Sequence, residues 1–355
     1  MDIPNLKNGI QSKMIKTDRL EMHVLFSGGP ENIPVIFLHG NFAAALYWQD
    51  LMLSLPEGFR GIAPDLRGYG WTEDKLTDAT RGLRDWSDDI LRLMDVLAID
   101  NAHFVGWSLG AAPIYRILID IPHKVKSMTF IAPVSPYGFG GTKGVDGEPV
   151  FDDFAGCGGG LVNPDFIRRI NEGDRTSDDP NSPRNIINTF YYVAPFKAVD
   201  EEDFLTASLQ EKIGTEKYPG DSVPSSNWPF IGPGKWGPLN AGSAKYMIKD
   251  VPDLISVHPK PPVLWIRGDK DQIVSDLSIF DIATLGKLGF VPGYPGEDVF
   301  PPQPMVLQTR AVLEKFKENG GTYQEIVIED TAHSPHIEKP KVFNQFFHQF
   351  LLESK

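Results

Sequence analysis

The sequence has a single cysteine, Cys157, among 355 residues. One thiol excludes an intramolecular disulfide and any multi-cysteine metal site. Cys157 also lies in a glycine-rich stretch, apart from the other candidate site residues. Long apolar runs are missing as well: none approaches the ~20 residues that a bilayer-crossing helix requires. The first twenty residues hold no apolar segment resembling a secretory signal, which predicts an intracellular, cytoplasmic protein. Basic residues are in deficit, 34 Lys plus Arg against 47 Asp plus Glu, for a formal net charge of -13. That balance opposes non-specific attraction to phosphate backbones and anionic membrane surfaces, so neither nucleic acid nor membrane is the expected partner. No His, Cys, Asp and Glu spacing reads as a ligand cluster, and neither a metal nor a cofactor is expected.

What is present suits a globular chain, with 41% hydrophobic and 23% charged residues. The length allows a large core, and one α/β fold with insertions can reach this size. No internal repeat is visible. Lys13 to Gly28 alternates apolar residues around a polar Thr17-Asp18-Arg19 centre, which predicts two strands joined by a turn. Ile33 to Leu38 is apolar without alternation, as in a parallel strand covered on both faces. Similar runs recur in GFRGIAPDLRG, AHFVGWS, VKSMTFIAP, PPVLWIRGDKD and YQEIVIEDTAH. Leu83 to Ala98 and Leu109 to Ile119 are helical between them, with Trp86, Ile90, Leu93, Met94 and Leu97 on one face. KVFNQFFHQFLLE predicts a closing helix. The alternation indicates a doubly wound, mostly parallel α/β sheet.

That alternation breaks near Pro136. Residues 136–262 are rich in Gly, Pro, Asp and Asn, with short helical pieces at Pro164 to Asn171, Arg184 to Val193 and Asp200 to Ile213. A structureless loop of that length is improbable in a compact domain, so the segment reads as an inserted helical lid. The core is then residues 1–135 and 263–355, interrupted again by an irregular stretch from Leu288 to Pro304.

The stretch FVGWSLGAAP, Phe104 to Pro113, sets Ser108 between two glycines, after a strand and before a helix. This is the context of a nucleophile elbow, in which a strained turn lifts a serine hydroxyl above the sheet. The pattern alone is weak, arising by chance in roughly one chain in ten of this length at ordinary Gly and Ser usage. Its weight comes from partners. A serine at its free pKa needs a histidine base, which needs an acid to fix its tautomer. VLWIRGDKDQIV supplies Asp269 and Asp271 after one apolar run, and EIVIEDTAHSPHIEKP supplies His333 and His336 after the next. An oxyanion would need two N–H donors: Leu109, at the helix start, and Asn41 in FLHGNFAAA, with Phe42 as the alternative. His39 shapes that loop and precedes the nucleophile by the wrong strand to be its base.

LHGN, APDLRGYGWT, VGWSLGAA, LWIRGDKDQIV and AHSPHIEKPKVFNQFFHQFL together resemble the landmarks of the α/β-hydrolase superfamily. The likeness is to its branch of haloperoxidase-like esterases, lactonases and C–C hydrolases, and it covers Ile33 to Pro136 and Pro262 to the end. It implies the fold and a Ser108, Asp271, His333 triad: the acid stands three residues after Gly268, and the histidine precedes a Glu-x-Pro run. Arg67 becomes structural. Dehalogenases and epoxide hydrolases of the superfamily use an aspartate nucleophile, and dehalogenases follow it with a tryptophan; Ser108-Leu109 disfavours both chemistries. GWSLG also departs from the GGSWG of proline-type peptidases.

The resemblance implies an esterase or lactonase acting through an acyl-enzyme. A C–C bond hydrolase with the same triad and a hydrolase-fold ligand receptor with little turnover remain alternatives. Aromatic residues in the lid and beside the elbow imply a bulky, largely apolar small-molecule substrate, with Phe42, Trp107, Tyr137, Tyr191 and Trp228 as candidate contacts. A homodimer is left open.

Overall fold

The computed structural model describes Ile3 and residues 6–355. β1 (Gln11–Lys16) and β2 (Glu21–Ser27) pair antiparallel, Gln11 opposite Phe26 and Lys16 opposite Glu21. Thr17 closes the turn between them: its hydroxyl donates to the Leu20 carbonyl and accepts from the Arg19 and Leu20 N–H groups. A side chain that satisfies backbone groups this close favours a turn over a continued strand.

β3 (Ile33–Leu38), β4 (Phe59–Pro64), β5 (Ala102–Trp107) and β6 (Val125–Ile131) follow. Two small ribbons come next, β7 (Thr142–Lys143) with β8 (Glu148–Pro149) and β9 (Ser222–Pro224) with β10 (Ile231–Pro233). β11 (Val263–Gly268) and β12 (Tyr323–Ile328) complete the main sheet. Its order is β1-β2-β4-β3-β5-β6-β11-β12. All pairs from β4 to β12 are parallel, and β2 meets β4 antiparallel. Central β5 is buried at every position, which accounts for its mostly apolar character; its one polar side chain, His103, bonds Ser127 Oγ at 2.7 Å.

β3 lies between β4 and β5, so the chain steps outward from β3 to β4 and then returns past β3 to β5. The loops leaving the carboxyl ends of β3 and β5 run to opposite sides and open a crevice between them. Residues 39–42 and Ser108 stand there. The helix Arg84–Val96 buries Trp86, Ile90, Leu93 and Met94, and the closing helix Pro340–Glu353 buries Phe343, Phe347 and Leu351.

Residues 132–262 contribute no strand to the main sheet. The helix Pro164–Asn171 starts where Asn163 accepts from Asp165 N–H, and Pro183–Phe190 where Ser182 accepts from Asn185 N–H. Both carry proline in the first turn, where its missing N–H costs nothing. The helix expected over Arg184 to Val193 ends at Phe190 because Val193 N–H is taken by the Glu338 carboxylate at 2.6 Å. The one expected over Asp200 to Ile213 is shorter, Glu201–Ser208, and the chain turns beyond it.

Candidate active site

Trp107 ends β5 in extended geometry, and Ser108 follows at φ +55°. A non-glycine residue there carries strain of about 1–3 kcal/mol, which the surrounding packing must impose. Ser108 opens a 3₁₀ turn, Ser108–Gly110, that runs directly into the helix Ala111–Asp120. A Cβ on Gly110 would stand 2.1 Å from the Leu38 carbonyl oxygen, and one on Gly40 would stand 2.8 Å from Ser108 Cβ. Only glycine at both positions lets the loop after β3 lie directly against the serine. Leu109 N–H, in the first turn, has no intrahelical acceptor and is a ready oxyanion donor.

β11 and β12 bring the acid and the histidine together. Asp271 Oδ2 lies 2.8 Å from His333 Nδ1, both side chains being buried. Asp271 Oδ1 accepts from the N–H groups of Ile273 and Val274 at 2.8 and 3.1 Å. Asp269 instead faces Lys270 at 3.4 Å. An ionised carboxylate only accepts, so His333 Nδ1 carries the proton and the lone pair is left on Nε2, the arrangement of a base. Trp107 joins this pair to the elbow: its indole N–H donates to the His333 carbonyl at 2.8 Å. Among the described residues, Ser108 Oγ and His333 Nε2 make no hydrogen bond to protein. Such contacts often tighten only when substrate is bound.

The loop after β3 is set by hydrogen bonds on its carbonyl side. His39 Nε2 lies 2.9 Å from Leu66 N–H and must accept, so Nδ1–H donates to the Gly40 carbonyl at 2.8 Å. Burial lowers the His39 pKa and keeps the ring neutral. A trans peptide points N–H opposite its C=O, so the bond to Gly40 O aims Asn41 N–H the other way. The Asn41 side chain is held by Tyr69, whose hydroxyl donates to Oδ1 at 3.1 Å, and by Tyr218, whose hydroxyl oxygen accepts from Nδ2 at 3.3 Å. Phe42, at φ +51°, turns its amide toward the buried Glu211 carboxyl, which among the described residues makes no hydrogen bond of ordinary geometry. Asn41 thus fits the second donor position better than Phe42.

Two of the candidate substrate contacts, Trp107 and Trp228, need correction, and the other three have protein partners of their own. Trp107 is fully buried beneath His333 and exposes no surface to a ligand. Trp228 belongs to a separate cluster with Ala283 and Phe300, and its indole N–H donates to the Pro292 carbonyl. Tyr137 packs on Gly147 beside the β7–β8 ribbon. Phe42 meets Phe166 edge-on at 5.0 Å. The Tyr191 hydroxyl is engaged by the carbonyls of Asn41 and Phe42. Aromatic content in a segment cannot distinguish its own core from a ligand wall, because both are filled by the same side chains. Arg67 forks onto Asp89 with two bonds of 2.8 Å, and Cys157 is buried with its thiol pushed up to about 11 by desolvation.

Two arrangements went unread in the sequence. Ser12 Oγ lies 2.9 Å from His23 Nε2, and His23 Nδ1 lies 2.7 Å from Asp65 Oδ2, a second Ser-His-Asp chain. Asp65 also accepts from Ala45 and Trp71 N–H; burial pushes its pKa up, but His23, His39 and the Ala45 amide together bring it below the ordinary value. Ser12 sits in a regular β ladder with no helix start behind it, so this chain lacks oxyanion donors and pins the first hairpin to the loop after β4. Glu211 is the other: a fully buried carboxyl beside Tyr47, Tyr69, Tyr191 and Tyr218, with its pKa raised well above 4.5 by desolvation. Neither has a local sequence signal, since the partners are distant in the chain. Among the described residues, no group of three or more His, Cys, Asp or Glu is arranged to hold a metal, and no helix is long and apolar enough to cross a membrane.

Residues 33–152 match the family model described as alpha/beta hydrolase fold. Epoxide hydrolase 2 of Siraitia grosvenorii is 32% identical over 214 residues, 57% of this chain and 65% of that one. An uncharacterized carboxylesterase of Bacillus subtilis is 24% identical over 194 residues, 52% of this chain and 64% of its own length. The chain thus spans just under two thirds of these relatives. A solved structure, a putative aryl esterase from Burkholderia cenocepacia, superposes with a TM-score of 0.60 at 16% identity, covering 97% of this chain and 99% of that one. That likeness speaks for the fold alone. Together with the sheet order, the turn at Ser108 and the matched segment, it says that the chain has the α/β-hydrolase fold.

Proposed function

We propose that this chain is a serine hydrolase that cleaves a carboxylic ester or lactone through an acyl-enzyme. The observation that carries the reading is Ser108 itself, held at positive φ before a helix start, at the sheet edge where Trp107 links it to the His333–Asp271 pair. Ser108 Oγ attacks the carbonyl carbon and passes its proton to His333 Nε2. Asp271 stabilises the imidazolium, and the Asn41 and Leu109 N–H groups hold the oxyanion. Collapse breaks the bond to the alkoxy oxygen, which leaves with the proton from His333. Water then attacks the acyl-enzyme, again with His333 as base.

A relative named epoxide hydrolase raises ring opening as a rival, and the nucleophile argues against it. A carboxylate that opens an epoxide forms an ester, which water can cleave. A serine oxygen would form an alkyl ether, which this site has no means of hydrolysing. Residues 136–262 are read as a lid over a core of residues 1–135 and 263–355.

The test is intact-protein mass spectrometry after exposure to a fluorophosphonate, with Ser108→Ala alongside, then a panel of aryl esters and lactones. A single adduct absent from the variant, with multiple turnover of an ester, is the expected result. Folded protein that takes no adduct and turns over no ester would overturn the reading in favour of a receptor. Poor ester turnover beside efficient cleavage of a vinylogous diketone would move it to C–C hydrolysis.

A further inference from the structure

Asn41 N–H can face Ser108 only if the Gly40 carbonyl of the same trans peptide is turned away and bonded, and it stays there only if the peptides that follow are held as well. His39 takes the Gly40 carbonyl. The next two are taken from outside the catalytic loops. The Tyr191 hydroxyl lies 2.8 Å from Asn41 O and 3.1 Å from Phe42 O, donating one shared proton. Ser208 Oγ donates to Phe42 O at 2.9 Å and is backed by the Tyr47 hydroxyl at 2.9 Å. Tyr191 is the sole side-chain donor to Asn41 O among the described residues.

The same residue reaches the histidine loop. The Tyr191 carbonyl accepts from Ser334 N–H at 3.1 Å, one residue after His333. Glu338 tightens this junction, accepting from Val193 and Ala332 N–H at 2.6 Å each. The Tyr191 ring stands edge-on to Trp107 at 5.3 Å and lies 6.0 Å from the His333 ring. One tyrosine, contributed by the segment inserted between β6 and β11, thus holds the loops on both sides of Ser108.

We propose that Tyr191 is a positioning residue for acyl transfer at Ser108: its hydroxyl fixes the Asn41–Phe42 peptide, so that Asn41, whose own N–H is aimed by the His39 bond to Gly40 O, is held on both sides, while its backbone anchors the loop of His333. The inference rests on the hydrolase reading and deepens it. The inserted segment is then part of the catalytic frame as well as a cover, and a displacement of that segment loosens the oxyanion loop.

Tyr191→Phe keeps the ring and removes the hydroxyl. With an aryl ester, kcat falls about 10- to 100-fold, a fraction of what loss of a whole oxyanion donor costs, while KM stays within about twofold. Affinity for a trifluoromethyl ketone, which forms an oxyanion on Ser108, weakens by a similar factor. Tyr192→Phe is the control: among the described residues the buried Tyr192 hydroxyl has no partner, and its loss leaves all three values unchanged. Wild-type kcat in Tyr191→Phe, or a loss confined to KM, would overturn the proposal. A second readout needs no substrate. In 15N-labelled protein the Asn41 amide shifts and exchanges faster in Tyr191→Phe than in wild type, whereas an unmoved Asn41 amide overturns the positioning role even if no ester is ever turned over.

Discussion

Asp271 and not Asp269 faces the histidine: Asp271 Oδ2 is 2.8 Å from His333 Nδ1, while Asp269, two residues earlier, pairs with Lys270. The neighbours separate in this way because Asp271 Oδ1 is fixed by two backbone N–H groups of its own loop. Asp271→Asn removes the acceptor for Nδ1–H and favours the wrong tautomer, and turnover should fall by about 10⁴-fold. Asp269→Asn should stay within about threefold of wild type. Ester kinetics on both variants check this, and a crippled Asp269→Asn beside a normal Asp271→Asn would reverse the assignment.

The Ser12–His23–Asp65 chain is fully hydrogen-bonded, yet it has no N–H donors waiting for an oxyanion. Ser12→Ala should leave ester turnover and the fluorophosphonate adduct unchanged. It should lower stability by about 0.5–1.5 kcal/mol, the usual net worth of such a bond. An adduct on Ser12 in the labelled protein would show that this second array is reactive.

Glu211 gives a pH signature. Its folded pKa lies well above 4.5, so from that pH upward the unfolded chain ionises while the native carboxyl keeps its proton. The native state then binds more protons, and stability falls as pH rises until the folded pKa is reached. Glu211→Gln is neutral at every pH and should escape this loss. Melting curves should nearly coincide at pH 4 and separate progressively toward pH 8, the variant being the more stable; parallel curves would refute the buried neutral acid.

His336 works in the opposite sense. It is buried against Trp48, Trp107 and Phe343 with both ring nitrogens unpartnered among the described residues, and desolvation lowers its pKa from 6.5 to about 3. Below 6.5 the unfolded chain takes up a proton that the native ring refuses, so stability is lost as pH falls toward 3. At pH 5 the loss is roughly 2 kcal/mol. His336→Phe should flatten this acid limb, which calorimetry at pH 5 and pH 8 reads directly.

Much of the fold was legible because it depends on neighbours close in sequence. Largely apolar runs without alternation marked β3, β5 and β11 as covered strands, the Thr17 turn separated β1 from β2, and the residues Pro164 to Asn171 formed the helix read there. Ser108, Asp271 and His333 each lie just beyond a strand, so their arrival at one edge follows from the order of a parallel sheet. Helix ends were less legible: Val193 N–H leaves its helix for Glu338, 145 residues away. The aromatic contacts were misread for a similar reason, since Trp107 and Trp228 are filled around by residues that no local pattern identifies.

The sequence by itself determined a doubly wound sheet with a serine at its central turn, because strand burial, helix spacing and a glycine-bracketed turn are set by residues a few positions apart. Only the tertiary structure set Asp271 rather than Asp269 against His333, put Tyr191 behind the Asn41 loop 150 residues away and sealed Glu211 among tyrosines. Those outcomes depend on which side chains packing brings within hydrogen-bond reach, and chain spacing carries no record of that.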